Sequence, residues 1–219
     1  MDLIRVNNIT FRYEKEESAV LENFSLNVEE GSCVIIAGDN GSGKTTLFRI
    51  LTGLSFPEKG EYVFDGTTIT RDYLKDNTNA KRFHKRIGFL FQSPDVMLFN
   101  PRVYDEIAFG PRQMGIPDQE IESRVEDCLE LFQLLELADK APYHLSGGQK
   151  KRVALAAVMS LNPDVLILDE PYAGLDKTTQ EWLTRLLTDL KSNGKTLIVA
   201  THSGELLSEI VDATIQLNE

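Results

Sequence analysis

Gly38-Asp39-Asn40-Gly41-Ser42-Gly43-Lys44-Thr45 follows the pattern G-x-x-x-x-G-K-[ST]. Glycines at these places let the backbone curl closely around an anion with its N–H groups turned inward. Lys44 is then placed to reach the terminal phosphates of a nucleotide. The Thr45 hydroxyl is placed to ligate Mg²⁺, with Thr46 beside it at the start of a helix. A second chemical element lies far along the chain. The apolar run Val165-Leu166-Ile167-Leu168 ends in Asp169-Glu170. Asp169 suits a Mg²⁺ ligand, direct or through water, and Glu170 suits the group that activates water for attack on a γ-phosphate.

A third element is Leu145-Ser146-Gly147-Gly148-Gln149, followed by Lys150-Lys151-Arg152. Ser146 can cap a helix, and the two glycines leave backbone N–H groups open to an anion. The three cations oppose the helix dipole at that end. They read either as a solvated charged face or as part of an anion site.

These groups need rigid carriers. Cys33-Val34-Ile35-Ile36-Ala37 enters the glycine loop as a continuous apolar run, the mark of a strand buried on both faces of a parallel sheet. Thr46 to Leu51 leaves it as a helix. Two more buried strands are expected at Val165–Leu168 and Thr196–Ala200, the latter as the last core strand. Trp182, Leu183, Leu186, Leu187 and Leu190 mark an amphipathic helix between them. Leu3 to Val28 alternates in short stretches that predict antiparallel strands, and Glu61 to Gly66 predicts a strand entering a turn. Apolar spacing at Ile121, Val125, Leu129, Phe132 and Leu135 predicts one helix from Gln119 to Ala138, with another from near Gly148. Arg86 to Gly115 reads as mixed, with several turn signals. Strand and helix alternating in this way implies an α/β sheet.

The string Leu145 to Gln149 recurs by chance at ~10⁻⁶ per position, too rarely for coincidence to explain it. It is similar to the signature of ABC ATPases, and the order of phosphate loop, signature and Asp-Glu strand resembles that family over essentially the whole chain. The resemblance implies an α/β P-loop NTPase: a RecA-like core with a mostly parallel sheet, an N-terminal antiparallel β subdomain and an inserted α-helical subdomain. The whole of 1–219 is expected to be a single ABC ATPase domain, with core 1–92 and 160–219 and a helical subdomain at about 93–159.

The resemblance further implies two such domains facing head to tail. Each ATP would lie between the phosphate loop of one and Ser146, Gly147, Gly148 and Gln149 of the other. Tyr13 stands where the family places an aromatic on adenine, with Phe11 as a nearby competitor. Gln92, in Phe91-Gln92-Ser93-Pro94, resembles the glutamine that touches Mg²⁺ and links to the membrane partner. Gly174-Leu175-Asp176 resembles the D-loop, and His202 the switch histidine at the γ-phosphate. Lys44, Gln92, Glu170 and His202 are thus the expected catalytic group, with ATP and Mg²⁺ bound. Ser203 and Tyr172 depart from the aspartate and the threonine or serine usual beside these motifs.

Phe91 to Phe99 and Val103 to Pro111 resemble the energy-coupling-factor subgroup, which powers uptake of vitamins, cobalt or nickel. Many of its members carry a further C-terminal segment; ending at Glu219, this chain resembles the shorter biotin-type ATPases. Met97, Leu98, Phe99 and Tyr104 are candidates for apolar contact with a membrane partner, or for internal packing.

Composition narrows the alternatives. The chain has 219 residues and a formal charge of −11, which disfavours a broad nucleic-acid face or direct docking on anionic lipid. No signal peptide or membrane-length apolar run is present. The expected location is cytoplasmic, peripheral on the inner face of the cell membrane, with separate transmembrane subunits and a second ATPase subunit as partners. Cys33 and Cys128 fit no zinc or redox spacing and read as small buried hydrophobes. The main alternative is a soluble ABC ATPase acting on DNA or ribosomes; these usually carry a long coiled-coil insert or two fused nucleotide domains. A regulatory module that holds ATP without hydrolysing it is disfavoured by the intact Lys44, Asp169, Glu170 and His202.

Overall fold

The computed structural model describes residues 2–14 and 18–217. Residues 15–17, inside the N-terminal alternating stretch, and Glu219 lie outside the described residues. Strands β1 (Asp2–Phe11) and β2 (Leu21–Glu29) pair antiparallel, and β3 (Cys33–Ala37) leads through the glycine loop into α1 (Lys44–Leu51). β4 (Lys59–Phe64) and β5 (Thr67–Thr68) follow, then the short α2 (Arg71–Lys75), α3 (Asn77–Arg86) and β6 (Ile87–Leu90). A helical stretch holds α4 (Val103–Met114), α5 (Asp118–Leu131) and α6 (Gly147–Met159). The chain returns through β7 (Val165–Asp169), α7 (Lys177–Ser192), β8 (Thr196–Ala200) and β9 (Ala213–Gln216).

Two sheets result. The antiparallel one has the order β2-β1-β4-β5, and the parallel one has the order β6-β7-β8-β3-β9. The apolar runs of β3, β7 and β8 sit side by side in the middle of the parallel sheet, which is why they show no alternation. Their alternate residues serve different layers. Leu166, Leu168, Leu197 and Val199 pack with the helices α4, α5 and α6. Val165, Ile167, Ile198 and Ala200 pack with α1 and the antiparallel sheet. The carboxyl ends of β3, β7 and β8 therefore emerge together, held from both faces.

Four expectations change. The helix from Gln119 to Ala138 stops at Leu131. Gln133 takes φ 57°, its N–H bonds the Glu130 carbonyl, and the Leu134 N–H bonds Leu129, a left-handed helix stop built without the usual glycine. Leu135 is consequently 59% exposed in a separate 3₁₀ turn rather than on the buried face. The mixed stretch from Arg86 to Gly115 contains a full helix, α4, which runs through Pro111. The helix tolerates Pro111 in its interior, with Ile107, Ala108 and Pro111 buried. β8 is not the last core strand: β9 pairs parallel with β3 at the sheet edge, too short and exposed to be read from its pattern.

The three cations after the signature are not a solvated face. Lys150 pairs with Asp95 at 2.7 Å, Lys151 is buried, and Arg152 bonds Gln133 and stacks on Trp182. Both cysteines are buried, and burial pushes each thiol up to about 11, so they behave as inert hydrophobes. Among the described residues no helix is long and apolar enough to cross a membrane.

Candidate functional site

The loop from Gly38 to Gly43 owes its shape to backbone that only glycine tolerates. Gly38 has φ 152°, and a Cβ there would strike the Ser42 hydroxyl and the Leu217 carbonyl. Gly43 sits at the start of α1 with φ 96°, and no side chain caps that helix end. The first-turn N–H groups are thus left for an anion. Ser42 Oγ is buried without a hydrogen-bond partner, a polar group still awaiting one. Lys44 folds back on the loop and donates to the Gly38 and Asp39 carbonyls at 2.6 and 2.8 Å.

Gly43 and Lys44 open into a cleft of about 570 Å³, large enough for a nucleotide, whereas Gly38, Asp39 and Ser42 do not line it. The cleft brings together Tyr13, Asn40, Gly41, Lys44, Thr45, Thr46, Gln92, Asp169, Glu170 and His202 from segments remote in sequence. Tyr13 lies on its rim, 57% exposed. Its hydroxyl is 2.9 Å from Thr46 Oγ1, and its ring stands edge-on to Phe11. Phe11 itself is buried. Val20 and Ala173 also line the cleft. Neither was singled out from sequence, since an isolated Val or Ala carries no signal of its own.

At the end of β7, Thr45 donates to Asp169 Oδ2 at 2.9 Å. Burial raises the Asp169 pKa, and the Thr45 bond and the charges of Lys44 and Lys151 pull it partly back. No cluster of three or more His, Cys, Asp or Glu side chains suited to a metal occurs among the described residues. The donors present are one carboxylate, one hydroxyl and the Gln92 amide. That set fits a Mg²⁺ that takes the rest of its shell from phosphate and water, not an all-protein cage.

Glu170 occupies left-handed backbone, φ 46°, a strain of about 1–3 kcal/mol for a non-glycine residue. Its N–H bonds the Ala200 carbonyl on β8, and its own carbonyl accepts from Ala173 N–H and Lys151 Nζ. One carboxylate oxygen, Oε2, accepts from the His202 backbone N–H at 3.4 Å. The other, Oε1, is buried without a hydrogen bond, although His202 Nε2 approaches it to 3.4 Å. A carboxylate oxygen held in a cleft with its acceptor capacity unused can take a proton from water.

Ser146, Gly147, Gly148 and Gln149 do not line this cleft. They form the start of α6, with Ser146 and Gly147 exposed and Gly148 and Gln149 half-buried; Ser146 Oγ accepts from Gln149 N–H and Gln149 Oε1 accepts from Ser146 N–H. Asp176, in the segment Gly174 to Asp176, caps α7 through Thr179.

Residues 21–173 match the family described as ABC transporter. The chain belongs to the ABC transporter family. The nickel import ATP-binding protein LarO of Lactiplantibacillus plantarum is 44% identical over 99% of this chain and 89% of its own. The energy-coupling factor transporter ATP-binding protein EcfA of Methanothermobacter thermautotrophicus is 37% identical over 99% of this chain and 68% of its own. Among solved structures, the ATP-binding cassette MJ0796 in a dimeric post-hydrolysis state with ADP and Pi has a TM-score of 0.87 at 30% identity. That match covers 98% of this chain and 94% of the other. The protein is an ABC ATPase subunit of the energy-coupling-factor type, and it binds and hydrolyses ATP in the service of transport. Transport is thereby favoured over a soluble role on DNA or ribosomes.

Proposed function

We propose that this chain energises uptake of a metal ion or vitamin from the cytoplasmic face of the membrane. It would act with a second ATPase subunit and separate transmembrane subunits. Two relatives support that cargo class, one named for nickel import and one for the energy-coupling factor. The dimeric state of the MJ0796 cassette supports the pairing.

In this reading the adenine rests on Tyr13 and the phosphates fill the loop Gly38 to Thr46. Lys44 leaves the Gly38 and Asp39 carbonyls for the terminal phosphates, exchanging two neutral acceptors for charged ones. Thr45, Asp169 and Gln92 would hold Mg²⁺, which would supply positive charge to the phosphates. Glu170 takes the proton of the attacking water at Oε1, and His202 contacts the γ-phosphate. Ser146, Gly147, Gly148 and Gln149 serve the nucleotide of the opposite subunit, consistent with their place outside the cleft of their own chain.

The face toward the membrane partner is the groove of about 210 Å³ lined by His84, Met97, Phe99, Glu106 and Phe109. Met97, Leu98 and Tyr104 are partly buried against the core, whereas Val96 and Phe99 are 69% and 67% exposed. Apolar groups so exposed fit a docking surface.

The observation that carries the hydrolytic role is the unpartnered Oε1 of Glu170 beside the Thr45–Asp169 pair. Replacing Glu170 with Gln is expected to cut steady-state ATP turnover by ~100-fold or more while leaving ATP affinity within about twofold. With ATP, that variant is expected to elute as a dimer. Turnover at the parent rate would remove Glu170 from its role.

A further inference from the structure

Lys151 lies in the second turn of α6 and is 3% exposed. It makes no ion pair among the described residues, an unusual state for a buried ammonium. Its Nζ instead donates to two main-chain carbonyls beyond β7: Glu170 at 3.0 Å and Ala173 at 3.4 Å. Burial pulls its pKa down, and the Glu170 and Asp169 charges pull it back up. Simple packing would be served equally well by an apolar side chain at this place.

What the ammonium holds is a peptide in left-handed backbone. Glu170 keeps φ 46° although it carries a side chain, and it precedes Pro171, which narrows its options further. Its N–H is fixed to β8 through Ala200. Among the described residues Lys151 is the one side chain that bonds its main chain. With the Glu170 N–H fixed, rotation about its N–Cα bond, the motion that would relieve the positive φ, must carry the carbonyl and the carboxylate together.

We propose that Lys151 is a positioning residue for hydrolysis, clamping the Glu170 carbonyl so that the carboxylate stays aimed at water. Because Lys151 rides on α6, the clamp also joins the Ser146–Gly148 end of that helix to the end of β7. A displacement of α6 then reaches Glu170 through one side chain. The proposal rests on Glu170 being the water-activating group.

Lys151→Met keeps the stem and removes the donors; Lys151→Gln returns one donor. In the full chain, Lys151→Met is expected to lower kcat by ~30-fold, with KM and fluorescent-nucleotide affinity within about twofold. Lys151→Gln is expected to recover most of the loss. In a Glu170→Gln background, adding Lys151→Met is expected to slow the residual turnover no further, because residues acting through one group are not additive.

Turnover of Lys151→Met within twofold of the parent would overturn the proposal. So would an equal further loss in the Glu170→Gln background, or a parallel fall in kcat, nucleotide affinity and melting temperature that Lys151→Gln does not relieve. If Lys151→Met does not fold, the kcat-against-KM split of Lys151→Gln decides by the same criteria. Parent-like turnover in Glu170→Gln would instead sink the reading of Glu170 itself.

Discussion

Asp169 and Glu170 are neighbours in sequence with opposite constraints. Asp169 ends a buried strand and is 5% exposed, so its charge is costly before any cation arrives. Its pKa is raised, so the folded chain holds the Asp169 proton more tightly than the unfolded chain does. Its contribution to the stability of the nucleotide-free protein is therefore present at acid pH and is lost as pH rises through the raised, folded-state pKa. Asp169→Asn removes that penalty. The variant is expected to melt about 2–4 °C above the parent at pH 7 without nucleotide, with the gap closing toward pH 4. Thermal unfolding across that range measures it. In the same variant Mg²⁺-dependent ATP turnover is expected to collapse, so stability and function move in opposite directions at one carboxylate.

Among the elements, those fully enclosed were the most legible. β3 and β8 match the apolar runs expected of them, and β7 extends its run by the single Asp169. The glycine loop was legible because curling backbone around an anion demands glycine at fixed places, as Gly38 and Gly43 show. Where an element draws its stability from neighbours, local signals failed. Gln133 stops α5 without a glycine, α4 crosses its proline, and β9 is held by pairing with β3. Lys151 was read only as one charge of three, since nothing local distinguishes a buried lysine from its exposed neighbours. The start of α6 makes a separate prediction. Ser146→Ala opens the reciprocal cap with Gln149 and is expected to cost about 1 kcal/mol in urea unfolding of the free chain. ATP-driven pairing is expected to weaken as well, because the same hydroxyl is assigned to the opposite nucleotide.

At the scale of the molecule, the nucleotide cleft and the apolar groove share no lining residue. Val96 and Phe99 have no place in the cleft. Val96→Asp with Phe99→Asp is expected to leave the ATPase rate of the free subunit within about twofold, because exposed side chains support little packing. Co-purification with membrane subunits is expected to be lost. Intact co-purification would place the docking surface elsewhere.

The floor beneath the phosphate loop comes from β9 and Leu217, remote from it in sequence. β9 lies against β3, the Leu217 N–H bonds the Ala37 carbonyl, and the Leu217 carbonyl lies close under Gly38. A nascent polypeptide on the ribosome thus exposes its glycine loop early yet completes the cradle only after β9 and Leu217 have been synthesised and have docked on β3. Nucleotide capture then follows the docking of β9, and a chain cut before Ala213 is expected to bind ATP more weakly than one that carries this strand.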